Sequence, residues 1–207
     1  MMKILYGLLA MLALSSCAKS DVKGGKTEAD VVEKVMMDRR SIRQFTEQPI
    51  NRDTLLRMLR CGINAPNGQN RQAYEIRVVD DPKLISEISD AVLKDNPGMK
   101  PQHGAKNIFL GAPCVIFLAN DTTYDMSQVD CGLLGENVVL SAWAMGIGSC
   151  CMAHPVRLMK SSEACAPYVK RLGFSEGYNL LIALAMGYPE EHPEAKPRKE
   201  EMIRFVE

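Results

Sequence analysis

Histidine, tryptophan and an excess of either charge are what this sequence has least of. Three histidines and a single tryptophan occur in 207 residues. His103, His154 and His192 each read as solvated or structural residues, not as catalytic bases. Lys and Arg number 25, matched by 25 Asp and Glu. That balance excludes a protein that grips nucleic acid through general basicity. Familiar catalytic motifs are missing too. There is no G-x-x-x-x-G-K-[ST] loop, no G-x-S-x-G elbow, no H-E-x-x-H and no convincing carboxylate pair. "GIGSCC" offers Gly146 and Gly148 without a third glycine, and it follows a helical pattern, so a dinucleotide fingerprint fails. The side chains supply no evident acid–base pair or nucleophile.

A long hydrophobic span is also lacking. The apolar run Ile4 to Leu14 is too short to cross a membrane comfortably, and with Lys3 before it and Ser15-Ser16 after it residues 1–16 read as a secretory signal. "LSSC" resembles the bacterial lipobox, which makes Cys17 the expected lipidation site. Residues 17–26 then read as a flexible tether carrying Gly24-Gly25. The implied location is the bacterial cell envelope, periplasmic or outer-membrane facing, with the membrane touched only through the lipid anchor. Residues 27–207 suit one domain, or one subunit of an intertwined dimer.

Beyond Cys17 the chain has Cys61, Cys114, Cys131, Cys150, Cys151 and Cys165, with no dense disulfide spacing. Cys114 and Cys131 sit in apolar patterns and read as small buried hydrophobes. Cys150-Cys151 with nearby His154 has no second pair at ligand spacing, so no metal site is expected, and structural or cofactor-lining thiols are.

Helices and strands alternate. Thr27 with Asp30 approximates a capping box before a helix with Val31, Val32, Val35 and Met36 along one face. Asn51 caps a second helix carrying Leu55, Leu56, Leu59 and Ile63, stopped by Pro66 and Gly68. "AYEIRVV" alternates as a strand, with Tyr74, Ile76 and Val78 on one side. Pro82 opens a helix with Leu84, Ile85, Ile88 and Val92. "APCVIFLAN" and "YNLLIALAMG" read as buried strands. Between them, 127–145 reads as a helix apolar almost all round, with Gly132, Gly135, Ala142 and Ala144 allowing close approach. The tail "YPEEHPEAKPRKEEMIRFVE" reads as an extended arm. The order gives an α+β or three-layer domain.

In "DRRSIRQF", Arg39, Arg40 and Arg43 lie close together in a chain without general basicity. Arginine forks with the Ser41 hydroxyl can cradle a phosphate, or the cluster can be a solvated basic helix end. The residues alone leave both readings open.

Four segments together resemble the FMN-dependent nitroreductase family, across nearly the whole mature chain and in the family's order. "RRSIRQF" is similar to its N-terminal Arg-x-Ser-x-(Arg/Lys)-x-Phe signature, and "APNGQNRQAYEIRVV" to its Ala-Pro-Ser-x-x-Asn-x-Gln-Pro-Trp segment. "GENVVLSAWAMGIGSCCM" resembles its central helix and the following Gly-rich turn, and "ALAMGYPEEHPEAKPRK" its closing strand and basic tail. The resemblance implies an α+β, three-layer α/β/α sandwich, built as an intertwined homodimer with an extended C-terminal arm and FMN at the interface. By the same resemblance Arg39, Arg40 and Ser41 hold the FMN phosphate, joined by Lys196 and Arg198, while Arg43 approaches the pyrimidine edge. Pro66, Asn67, Gly68 and Asn70 come from the partner subunit beside the ring. Cys151, Met152 and Ala153 line the face near N5, which carries the hydride. The implied activity is reduction of a nitroaromatic, quinone or similar acceptor by ping-pong hydride transfer, with NAD(P)H as donor. Alternatives are an envelope flavoprotein fed by another electron donor, and a non-enzymatic small-ligand-binding protein. Asn67-Gly68 and Ala73-Tyr74 depart from the family pattern.

Overall fold

A computed structural model describes residues 25–207. The expected signal segment 1–16, the expected lipidation site Cys17 and all of the expected tether except Gly25 and Lys26 lie outside the described residues. Among the described residues six α-helices and four strands are ordered α1 (Glu28–Asp38), α2 (Arg52–Ile63), β1 (Tyr74–Val79), α3 (Pro82–Asp95), β2 (Cys114–Asp121), α4 (Ser127–Ala144), β3 (Gly148–Met152), α5 (His154–Ser161), α6 (Ala166–Arg171) and β4 (Tyr178–Gly187).

The sheet runs β1-β2-β4-β3, with every neighbouring pair antiparallel. Because β2 occupies an interior position, successive side chains enter opposite cores, and all of Cys114 to Asn120 is buried. Val115 and Phe117 face a core with α3, α5 and the 108–112 segment. Cys114, Ile116 and Leu118 face α2 and α4. Phe117 meets Phe109 edge-to-face at 5.7 Å. The chain is therefore a three-layer α/β/α sandwich of the α+β class.

Local signals explain the helix starts. The Thr27 hydroxyl accepts from the Asp30 amide, and the Asp30 carboxylate accepts from the Thr27 amide at 2.8 Å, a complete capping box. Asn51 and Asp81 cap α2 and α3 by accepting from the Asp53 and Lys83 amides. The buried face of α2 differs from expectation. Leu55, Met58 and Gly62 are inside, while Leu56 and Ile63 are exposed. A Cβ on Gly62 would lie 2.5 Å from Val138 Cγ2, so the bare glycine lets α4 come close and turns that face inward. On α4, Gly135 packs against Leu118, whereas a Cβ on Gly132 would meet nothing within 4 Å.

The glycine-rich turn expected after α4 falls at Met145–Gly146, where Gly146 has φ 75°. Residues 148–152, for which no strand was read, form the edge strand β3, paired with β4 from Gly148↔Gly187 to Met152↔Ala183. Pairing overrides a sequence with no β-branched residue. Residues 41–46 are seated beside it. The Ile42 amide donates to the Ser149 carbonyl at 2.9 Å, Thr46 to Tyr188 at 2.9 Å, and Glu190 to Gln44 at 2.9 Å. Ile42 is fully buried, worth about 1.5–3 kcal/mol for such a side chain. The apolar residue between Ser41 and Arg43 is thus the anchor that fixes where the arginines project.

Candidate functional site

Three clefts meet at Arg43, and two of them gather the expected site residues. The first, about 130 Å³, is lined by Arg39, Arg40, Ser41 and Arg43 from the segment after α1, and by Pro193, Glu194, Lys196 and Arg198 from the arm. The second, about 200 Å³, adds Met99, Gln102, Ile108 and Leu110 to Cys150 through Pro155. Six of the expected residues, Arg39, Arg40, Ser41, Arg43, Lys196 and Arg198, therefore converge at the first cleft, from opposite ends of the chain. Cys151, Met152 and Ala153 converge at the second.

The cations of the first cleft are poorly neutralised. Arg40 donates to the Met37 and Arg39 carbonyls at 2.6 and 2.8 Å, Arg43 to the Ser41 carbonyl at 3.1 Å, and Arg198 to the Lys196 carbonyl at 3.1 Å. Among the described residues none of Arg40, Arg43, Lys196 and Arg198 has a carboxylate within ion-pair distance. Arg39 reaches Glu136 only at 3.7 Å, and its Nε is buried without a hydrogen-bond partner. A buried guanidinium N–H without a hydrogen-bond acceptor is costly, and four arginines and a lysine outnumber the single carboxylate, Glu194, in the cleft wall. The Arg43 amide donates to the Glu191 carboxylate, which ties the arm to the arginine segment at the junction of the clefts.

The second cleft has a different character. Met99, Ile108, Leu110, Met152 and Pro155 give it apolar walls suited to a flat hydrophobic group. Cys150 and Cys151 are both free, as are the other four described cysteines. Cys150 is buried and Cys151 lies at the surface of the single chain, and local desolvation raises both thiols, that of Cys151 to about 11, so neither is ionised near pH 7. They line the cleft and do not act as thiolate nucleophiles.

Pro66, Asn67, Gly68 and Asn70 line neither cleft of their own chain. Sequence reasoning missed Pro193 and Glu194, and also Met99, Gln102, Ile108 and Leu110, which lie in a segment with no readable period. His154, read as solvated or structural, stands in the wall of the second cleft.

The profile of the nitroreductase family matches residues 36–188, which contain both the arginine segment and β3. The chain belongs to the nitroreductase family. Other relatives of this nitroreductase-family chain agree with that assignment. A Desulfitobacterium hafniense nitroreductase whose structure holds FMN is 29% identical, with a TM-score of 0.76, covering 86% of this chain and 98% of that one. The NADPH-flavin oxidoreductase of Vibrio harveyi is 25% identical over 170 residues, 77% of this chain and 66% of the relative. A Bacillus subtilis FMN reductase (NADPH) is 26% identical over 178 residues, 79% of this chain and 68% of the relative.

Proposed function

We propose that this nitroreductase-family protein is an FMN-dependent NAD(P)H oxidoreductase whose two clefts form one cofactor site. The observation that carries this reading is the continuity, through Arg43, of an anion-seeking cationic cleft with an apolar one. FMN has that polarity, with a phosphate at one end and a ring at the other. The residues present fit it: Arg39, whose buried Nε makes no hydrogen bond, and the unneutralised Arg40, Lys196 and Arg198 suit a phosphate. When bound, FMN supplies the hydride chemistry that no side chain here offers.

The chain's own part is to bind, orient and exclude. Arg39, Arg40, Ser41, Lys196 and Arg198 hold the phosphate, and Arg43 brings positive charge to the ring's pyrimidine edge. Cys151, Met152 and Ala153 form the wall against the ring, with Met99 and Leu110 keeping water from it. The acceptor is a small aromatic compound, a nitroaromatic or a quinone, that shares this wall.

A homodimer accounts for surface the single chain leaves bare. Among the described residues α1 buries no side chain, and Val32 and Met36 are 52% and 53% exposed. Met202, Ile203, Phe205 and Val206 of the arm are more exposed still. Apolar area of this extent marks an interface. Pro66, Asn67, Gly68 and Asn70 then serve the site of the partner subunit. The envelope location rests on "LSSC": Cys17→Ala should release the protein from membrane fractions, and continued firm association would overturn the anchor.

The deciding experiment is an anaerobic titration of the purified protein with NADH and then NADPH, following flavin absorbance. Rapid bleaching supports the proposal. A yellow protein that stays oxidised points to a non-nicotinamide donor, and a colourless protein that refuses added FMN overturns the cofactor reading.

A further inference from the structure

The turn after α2 is far more elaborately held than a connection needs to be. Gln69, Asn70 and Gln72 have φ of 54°, 54° and 50°, the left-handed region that side-chain-bearing residues disfavour. Asn67 Oδ1 accepts from the Gln72 amide at 2.9 Å, closing the turn across its base. The Arg71 guanidinium lies over the Tyr124 ring at 4.5 Å and donates to Gln69 Oε1 at 3.0 Å. Tyr124 packs so tightly on Gly68 that a Cβ there would lie 1.8 Å from its hydroxyl oxygen. Beneath the turn is Asp130, in the first turn of α4 and only 3% exposed. Its Oδ1 accepts from the Gly68 amide at 3.1 Å, while its Oδ2 is buried with no partner.

A buried carboxylate with one unsatisfied oxygen is an expensive way to fix one backbone amide. Three left-handed residues add to that cost. Such an arrangement is retained where the shape of the turn itself is used. None of Asn67, Gly68, Asn70 and Asp130 lines the clefts of its own chain. We propose that Asp130 is a positioning residue acting in trans: by holding Gly68, it sets the 66–72 turn that completes the FMN site of the neighbouring subunit. This rests on the proposed reading that the turn faces the partner's cofactor. Asn67 spends its carbonyl oxygen inside the turn, which leaves its amide N–H groups for the flavin. Tyr124 and Arg71 brace the same turn from the solvent side.

The inference predicts that Asp130→Ala weakens FMN binding up to about tenfold, the loss expected when the one hydrogen bond holding the turn is removed. Asp130→Asn keeps a carbonyl acceptor for Gly68 and should bind FMN as the wild type does. If Asn binds as weakly as Ala, the role given to the Gly68 hydrogen bond is wrong.

The trans arrangement is tested with a mixed dimer, isolated through two different affinity tags. One subunit carries Arg39→Ala and the other Asp130→Ala, and FMN is titrated by quenching of its fluorescence. Acting in trans, the two lesions fall on the same site. The other site is intact and takes one FMN per dimer at wild-type affinity. Acting in cis, the lesions spoil both sites, no tight site remains, and the proposal falls. Should Asp130→Ala not fold, Gly68→Ala displaces the same turn against Tyr124 and takes its place in the dimer. A wild-type protein that binds no FMN would instead defeat the cofactor reading on which this inference stands.

Discussion

The two ends of the cleft differ in how they are built. The cationic end is made of irregular backbone, residues 39–43 and 193–198, where Arg40, Arg43 and Arg198 are held only by nearby carbonyls and Arg39 meets Glu136 at 3.7 Å. The apolar end is carried by β3, the start of α5 and the buried 108–110 segment. The first seeks a partner and the second offers a rigid wall. Affinity should therefore reside at the cationic end, and the orientation of the ring at the other.

The largest expected effects test the affinity half. Arg39→Ala and Arg198→Ala should each lower FMN affinity by about 1.5–3 kcal/mol, the scale of a charged hydrogen bond. Equilibrium titration of the apoprotein measures it. Removing Arg39 loses no hydrogen bond and only a 3.7 Å pairing with the half-exposed Glu136, so thermal stability should change little while affinity falls. A variant that loses stability and keeps its affinity would reverse the comparison.

Next come the joints between the two ends. A Cβ on Gly148 would lie 2.7 Å from Ile42 Cγ1, and one on Gly187 2.8 Å from Pro113 Cδ and 2.9 Å from Phe45 Cδ1. These contacts seat the arginine segment against β3 and β4. Gly148→Ala should cost about 1–3 kcal/mol of stability through overpacking and weaken FMN binding as well. Denaturant unfolding, followed alongside an FMN titration, would show both. An unchanged affinity would mean that the arginines do not depend on the sheet for their position.

The same contrast decides what could be read from the sequence. The arginine end was legible because Arg39, Arg40 and Arg43 are neighbours in the chain and stand out against a neutral composition. Ile42, which fixes them, was hidden among them, since one apolar residue in a loop has no period. Of the apolar wall the resemblance supplied only Cys151, Met152 and Ala153; Met99, Ile108 and Leu110 escaped notice because they come from a separate, irregular segment, joined to the wall only by the fold. Strand β3 was not legible because Gly-Ser-Cys-Cys-Met has little strand propensity of its own. Helices α5 and α6, with 8 and 6 residues, are too short for periodicity to register. By contrast β2 and β4 were plain, because burial on both faces demands a continuous apolar run.

The smallest effect sharpens the contrast at the wall itself. Cys151 is pushed up to about 11 from its ordinary value of 9.0 by desolvation, so its proton stays on across the neutral range. Cys151→Ser should leave FMN affinity nearly unchanged between about pH 6 and 9, with no thiol inflection. Its signature should appear only in alkali. Between about pH 9 and 11 the unfolded thiol ionises while the folded one stays protonated, so the unfolded state binds fewer protons and stability falls as pH rises. Cys165, also pushed up to about 11, adds to the same decline, and Cys114 and Cys131, at about 12, extend it. Serine ionises far above this range, so melting curves of Cys151→Ser should fall less steeply over that interval. A neutral-pH inflection in flavin binding that vanishes in the variant would make Cys151 a charged participant and the second cleft more than an apolar wall.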